Sequence, residues 1–206
     1  MALFVLSFFL IAFLLMIIIY FGFYRKLFQS FTTTDLVTIS LFICLLYAAI
    51  LPFKLGLSKL PFIHSFAFSI PYTCILIIGI RLIPKTGTTT LLIFGNGLFA
   101  QIISTGINPL WWPYMLITGF ILEIYFLISN NYAKSLFNAL TAGALRGALA
   151  YLYFYYIAGP FIWHKFYAPW YIAIQLSQGI IGSLIGAGIG FKLARTIEKA
   201  YKFGSV

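Results

Sequence analysis

The chain has 206 residues, of which 63% are hydrophobic and 8% charged, with a mean hydropathy of +1.05. A soluble domain carries about 25% charged residues, so this composition excludes a soluble globular protein and indicates an integral membrane protein. The net charge of +10 does not point to nucleic acid, because no soluble domain is present to carry a basic patch; basic loops at a bilayer surface account for it.

A membrane-crossing helix needs about 20 mainly apolar residues, each rising ~1.5 Å against a ~30 Å hydrocarbon core. The run from Ala2 to Tyr24 meets that length, and its charges, Arg25 and Lys26, follow it. It lacks the basic leading region of a cleavable signal and is expected to be a retained helix. The second segment spans about Asp35 to Phe53. Thr32-Thr33-Thr34-Asp35 offers helix caps and an acid suited to the helix dipole, and Pro52 is expected to end the helix. The third runs from about Ile63 to Ile83, with Pro71 predicting a kink or a break near Ser69-Ile70.

A basic turn, Arg81 to Gly87, precedes a short fourth segment, about Thr88 to Ser104, with Gly95 and Gly97 flanking Asn96. The fifth, about Leu110 to Ser129, opens on Trp111-Trp112 and contains Glu123; Asn130-Asn131 makes the next turn. The sixth, about Ala133 to Ile157, contains Arg146 and is expected to stop at Gly159-Pro160. The seventh, about Tyr171 to Leu193, is rich in glycine and runs into a basic amphipathic tail with Lys192, Arg195, Lys199 and Lys202. The expected fold is therefore an all-α, polytopic membrane helix bundle of seven spans.

With the N-terminus outside and the C-terminus in the cytoplasm, nine cations fall inside: Arg25, Lys26, Arg81, Lys85, Lys134, Lys192, Arg195, Lys199 and Lys202. Three, Lys54, Lys59 and Lys165, fall outside, and Arg146 lies within the membrane. This bias obeys the positive-inside rule and predicts a multi-pass protein of the cell membrane. It puts His64, Asn108, Trp111, Trp112, Trp163, His164 and Trp170 near the outer face.

Glu123 and Arg146 are ionisable groups inside consecutive spans, each costing about 2.5–3.5 kcal/mol at a helix centre. The favoured expectation is a structural ion pair; if tilt separates them, Arg146 becomes free for an anionic or carbonyl-bearing ligand. For Asn96 an interhelical packing role is expected. Gln101 is open between packing and a ligand contact, and Gln175 is a similar case. The glycines of the seventh helix, with Gly143 and Gly147 of the sixth, serve close packing within the bundle or docking of a partner membrane protein. Cys44 and Cys74 read as buried thiols.

No nucleotide-binding loop, HExxH motif, paired-acid site or Ser/His/Asp set occurs, so neither ATP hydrolysis nor catalysis is expected of this chain. His64 and His164 are single and do not make a metal or haem pair. No cofactor is implied.

Phe31-Thr32-Thr33-Thr34-Asp35-Leu36-Val37, Ile80 to Gly87, Ile117-Thr118-Gly119-Phe120-Ile121-Leu122-Glu123 and the glycine-rich last helix running into Leu193 to Lys199 together carry a resemblance. From Thr33 to the C-terminus the chain resembles the substrate-binding membrane subunit, or S-component, of energy-coupling-factor vitamin transporters, of the hydroxymethylpyrimidine/thiamine type. The resemblance implies a six-helix core over residues 31–206 and an added helix over residues 1–30. It implies capture of a small vitamin-like molecule from outside, with a transmembrane coupling subunit and two ATPases as partners. On this reading Gln101, Asn108, Trp111, Trp112, Glu123 and Arg146 are the expected ligand liners. One departure concerns docking: small residues spaced four apart on the first family helix are reduced here to Ala48-Ala49. The competing reading is an accessory or structural subunit of a larger membrane complex, and an outward cavity lined by these residues distinguishes the two.

Overall fold

The computed structural model describes residues 2–24, 29–56 and 63–203. Seven α-helices make up the described fold: α1 (Ala2–Tyr24), α2 (Thr33–Gly56), α3 (His64–Leu82), α4 (Thr88–Ala100), α5 (Trp112–Ser129), α6 (Leu136–Tyr153) and α7 (Pro169–Phe203). A π-helical turn, Gln101–Thr105, extends α4, and a wider π-helical stretch, Phe154–Ile162, extends α6. No strand occurs among the described residues. Among them five helices are long and apolar enough to cross a membrane, in α1, α2, α3, α5 and α7. Thr88–Ser104 is apolar but shorter, and α6 is diluted by Asn138, Arg146 and small residues. Arg25, Lys26 and Lys59 lie outside the described residues.

The closest packing of α2 to α7 follows the ring α2–α3–α7–α6–α5–α4; α3 also touches α4 and α6 across it, and α1 lies against α5 outside it. Helix–helix association in lipid depends on close backbone approach rather than on hydrophobic burial. Here the approach is made by α7. Its Gly182, Gly186 and Gly190, one turn apart, sit on the carbonyls of Phe66, Ile70 and Cys74 of α3. A Cβ at Gly182 would stand 2.5 Å from the Phe66 oxygen, and the other two would be closer still to theirs. On its other side α7 meets α6: a Cβ at Gly143 would lie 2.7 Å from Ala187 Cβ, and one at Gly147 would lie 2.8 Å from Gly179 O. The glycine pattern is thus spent on internal packing.

Three helix ends differ from the expectations. Pro52 does not end α2, which continues one turn to Gly56. Pro71 does not break α3, which runs through it without interruption, since packing against the α7 glycines outweighs the ~3 kcal/mol that an interior proline costs. Gly159-Pro160 does not stop α6; the π-helical stretch carries on to Ile162. The stop comes at His164, whose φ of +53° is left-handed, with the Lys165 N–H returning to Gly159 O at 2.9 Å. The left-handed histidine takes the place that glycine holds in a Schellman cap, but the returning bond reaches one residue further back, in keeping with the π-helical widening.

The N-terminus of α2 behaves as its sequence indicates. Asp35 Oδ2 accepts from the Thr32 N–H at 2.7 Å while the Asp35 N–H donates to Thr32 Oγ1 at 3.2 Å, a reciprocal capping box with aspartate in the glutamate place. Lys85, from the α3–α4 turn, donates to Asp35 at 2.6 Å and to Ser30 O at 3.0 Å. Cys44 and Cys74 are free thiols, but neither is buried as expected: Cys44 is exposed on its helix and Cys74 is half-buried.

Candidate functional site

The two ends of the bundle have different chemistry. At the end carrying Arg81, Lys85 and Lys134, polar groups tie helices together. Gly87, with φ +99°, opens α4 and brings no side chain to cap it. Glu123 of α5 does this instead: its Oε2 accepts from the Thr89 N–H at 3.1 Å, and its Oε1 from the Tyr132 hydroxyl at 3.1 Å. A carboxylate suits a helix N-terminus, where the orphan N–H groups and the dipole both favour negative charge. Burial, and after it the Glu123 carboxylate, push the Tyr132 phenol above its usual value, so Tyr132 stays a donor. The expected Glu123–Arg146 ion pair does not form. Glu123 caps α4, and the ion pairs among the described residues are Arg81–Glu198 and Lys85–Asp35.

The opposite end is aromatic and encloses a cavity of about 430 Å³ bounded by α2 to α6. Its lining at the helix ends includes His64, Ser104 and Trp111. Trp111 packs on Trp163 with ring centres 5.4 Å apart, and Trp163 packs on Phe154 at 4.5 Å. About two turns further along α3 stands Tyr72, and over its ring, 3.9 Å from the centre, lies the guanidinium of Arg146. Arg146 is only 3% exposed, and its Nη1 has no hydrogen-bond partner. Tyr114 and Tyr153, ring centres 5.0 Å apart, add to the wall.

The wall is held by hydrogen bonds between helices. Ser65 of α3 donates to Gln175 of α7, and Tyr151 of α6 donates to Ser65 O at 2.9 Å. Asn96 bonds Ile43 O of α2 at 3.3 Å while bordering the cavity. Gln101, 5% exposed, stands at the junction of α4 and its π-helical turn. Its Oε1 accepts from the Asn108 N–H at 2.9 Å, and its Nε2 is buried without a partner.

Of the six residues singled out as ligand liners, Gln101, Trp111 and Arg146 border the cavity. Asn108, Trp112 and Glu123 do not. Asn108 caps the 3-10 turn Pro109–Trp111 by accepting from the Leu110 N–H. Trp112 packs edge-on to Phe94, with ring centres 6.2 Å apart. The tyrosines Tyr72, Tyr114, Tyr151, Tyr153 and Tyr155 were not singled out, although they make much of the wall. The available signal was the run Tyr151-Leu152-Tyr153-Phe154-Tyr155-Tyr156 where α6 passes into its π-helical stretch at the aromatic end. Among the described residues no group of three His, Cys, Asp or Glu is placed to hold a metal ion.

No family model, curated protein or solved structure matches the chain.

Proposed function

We propose that this protein is the substrate-capture subunit of an ATP-driven importer, taking a small planar molecule from the outer side of the cell membrane. The observation that carries the proposal is the cavity at the aromatic end, with aromatic walls, few polar groups and one buried cation. Its volume of about 430 Å³ falls within the usual size of small-molecule sites. Tyrosine and tryptophan faces provide stacking for a heterocycle, and Gln101, Ser65 and Arg146 provide the few polar contacts that orient it. The chain has no nucleotide-binding loop, so energy comes from partners: a transmembrane coupling subunit and ATPases. The basic end faces the cytoplasm, and the chain binds its ligand without transforming it. The lack of any carboxylate on the cavity wall favours a neutral or anionic pyrimidine-like ring over a cation such as thiamine.

Thermal melting of the purified chain against a broad panel of vitamins and their precursors tests the proposal. A ligand that binds only the folded form adds RT ln(1 + [L]/Kd), about 2.7 kcal/mol at a hundredfold excess over Kd. Wild type is expected to be stabilised by one or more compounds. Ala150→Trp, which fills the cavity from α6, is expected to lose that response. A flat melting temperature for wild type across the panel would overturn the reading.

A further inference from the structure

Arg81 shows how this fold satisfies a buried guanidinium. It is 9% exposed, and its Nε and Nη2 donate to the two oxygens of Glu198 at 2.9 and 2.8 Å. Its Nη1 reaches Ala133 O at 3.4 Å, and the group stands 4.6 Å from the centre of the Phe191 ring. Arg146, at 3% exposure, is more deeply buried; it lies over the face of Tyr72, its Nη1 has no partner, and no carboxylate pairs with it. An arginine cannot shed its charge as a buried lysine can, so burial leaves it in need of an anion.

The chain's own side chains do not supply that anion. The sequence contains three acidic residues, Asp35, Glu123 and Glu198. Asp35 meets Lys85, Glu198 meets Arg81, and Glu123 holds the α4 N-terminus with Tyr132. All three lie toward the basic end. Arg146 borders the cavity instead, and no carboxylate shares the wall.

We infer that the counter-ion of Arg146 is the ligand itself: the captured molecule is a planar aromatic monoanion whose carboxylate meets the guanidinium while its ring lies among the tyrosines. The inference rests on the capture reading above. One guanidinium balances one charge, which favours a carboxylate over a doubly charged phosphate. Planar, charge-assisted recognition is what arginine provides and lysine does not. An aromatic ring suits a wall built largely from Phe68, Tyr72, Tyr114, Tyr151 and Tyr153.

The test is calorimetric titration of the full chain in phosphatidylcholine nanodiscs with matched acids and amides. The pairs are nicotinate and nicotinamide, 4-hydroxybenzoate and 4-hydroxybenzamide, and indole-3-acetate and indole-3-acetamide. At least one acid is expected to bind about tenfold or more tightly than its amide, the usual scale for pairing a buried charge. Arg146→Gln is expected to erase that preference and, without ligand, to melt no lower than wild type, because it removes an uncompensated charge. Arg146→Lys keeps the charge without the planar fork and is expected to retain part of the preference, which preserves the test if the glutamine variant folds poorly. Equal affinity within every pair would overturn the anion while leaving the cavity a capture site; no binding by either member of any pair would overturn the aromatic monoanion, and the broad melting panel decides the capture reading separately. An acid preference that survives in Arg146→Gln would also overturn the inference. So would loss of acid binding when phosphatidylserine replaces phosphatidylcholine, since the counter-ion would then be a lipid headgroup.

Discussion

The Arg146 guanidinium lies 3.9 Å from the centre of the Tyr72 ring, and none of the chain's three carboxylate side chains meets it. Glu123, one helix away, is 1% exposed and bonded to the Thr89 N–H and the Tyr132 hydroxyl. The two buried ionisable side chains of α5 and α6 therefore do different work. One closes the basic end of the bundle, and the other faces the cavity.

The role of Glu123 is separable from binding. Glu123→Ala leaves the buried Thr89 N–H without its acceptor, a loss worth about 1–3 kcal/mol, and leaves the Tyr132 phenol only the Thr86 hydroxyl at 3.3 Å. The variant is expected to melt well below wild type, while Glu123→Gln, which keeps an acceptor oxygen, loses less. Ligand affinity at the cavity is expected to be unchanged in whatever fraction folds. A drop in affinity with unchanged melting would place Glu123 in the ligand site instead.

Packing of α7 gives a sharper structural contrast. Gly186→Leu drives a side chain into the Ile70 carbonyl of α3, where backbone cannot yield, and overpacking of this kind costs about 1–3 kcal/mol or more. Gly188→Ala meets only Leu140 Cδ2 at 3.8 Å, an ordinary contact. The first variant is expected to lose most of its folded yield in detergent, as read by size-exclusion chromatography, and the second to match wild type. Equal yields would mean that α3 and α7 do not approach as closely as described.

Orientation follows from charge and is open to labelling. Lys134 is exposed at the basic end and Ser104 at the aromatic end. In a background with Cys44 and Cys74 replaced by alanine, a membrane-impermeant maleimide added to intact cells is expected to label Ser104→Cys and not Lys134→Cys. The reverse pattern would invert the topology and turn the cavity toward the cytoplasm.

Composition and apolar run length were sufficient to read an all-α membrane bundle, because the bilayer leaves helices as the way to satisfy every backbone group within a span. The apolar run from Ala2 to Tyr24 reads as helix, and Thr32 to Asp35 offered the caps of α2, although not the reciprocal form that they take. Two prolines misled as helix stops. Pro52 and Pro160 are accommodated within helices, and Pro71 does not break α3, since packing and π-helical widening are tertiary effects that a local rule does not contain. In the site, spacing along single helices placed Glu123 and Arg146 near each other, but it carried no information on azimuth. The rotation of α5 and α6 about their axes sends Glu123 toward α4 and Arg146 toward Tyr72. The tyrosine wall escaped notice because an aromatic residue in a span reads as lipid-facing until its neighbours are known.

The tryptophan pair provides the last test, because its two members have different surroundings. Trp111 borders the cavity and packs on Trp163, so its ring is available to stack on a bound heterocycle. Trp112 is off the wall, edge-on to Phe94, with a buried indole N–H that meets no acceptor. Trp111→Ala removes part of the wall, and loss of one aromatic stacking contact of about 0.5–1.5 kcal/mol is expected to weaken ligand binding roughly twofold to twelvefold. Its melting temperature without ligand should change little, since Trp111 is half-buried. Trp112→Ala should show the opposite: lower stability from lost packing against Phe94, and ligand affinity within error of wild type. Titration monitored by intrinsic fluorescence checks both, because quenching on ligand addition should persist in Trp112→Ala and fall in Trp111→Ala. If Trp112→Ala alone loses binding, the ligand lies between α4 and α5 rather than in the central cavity.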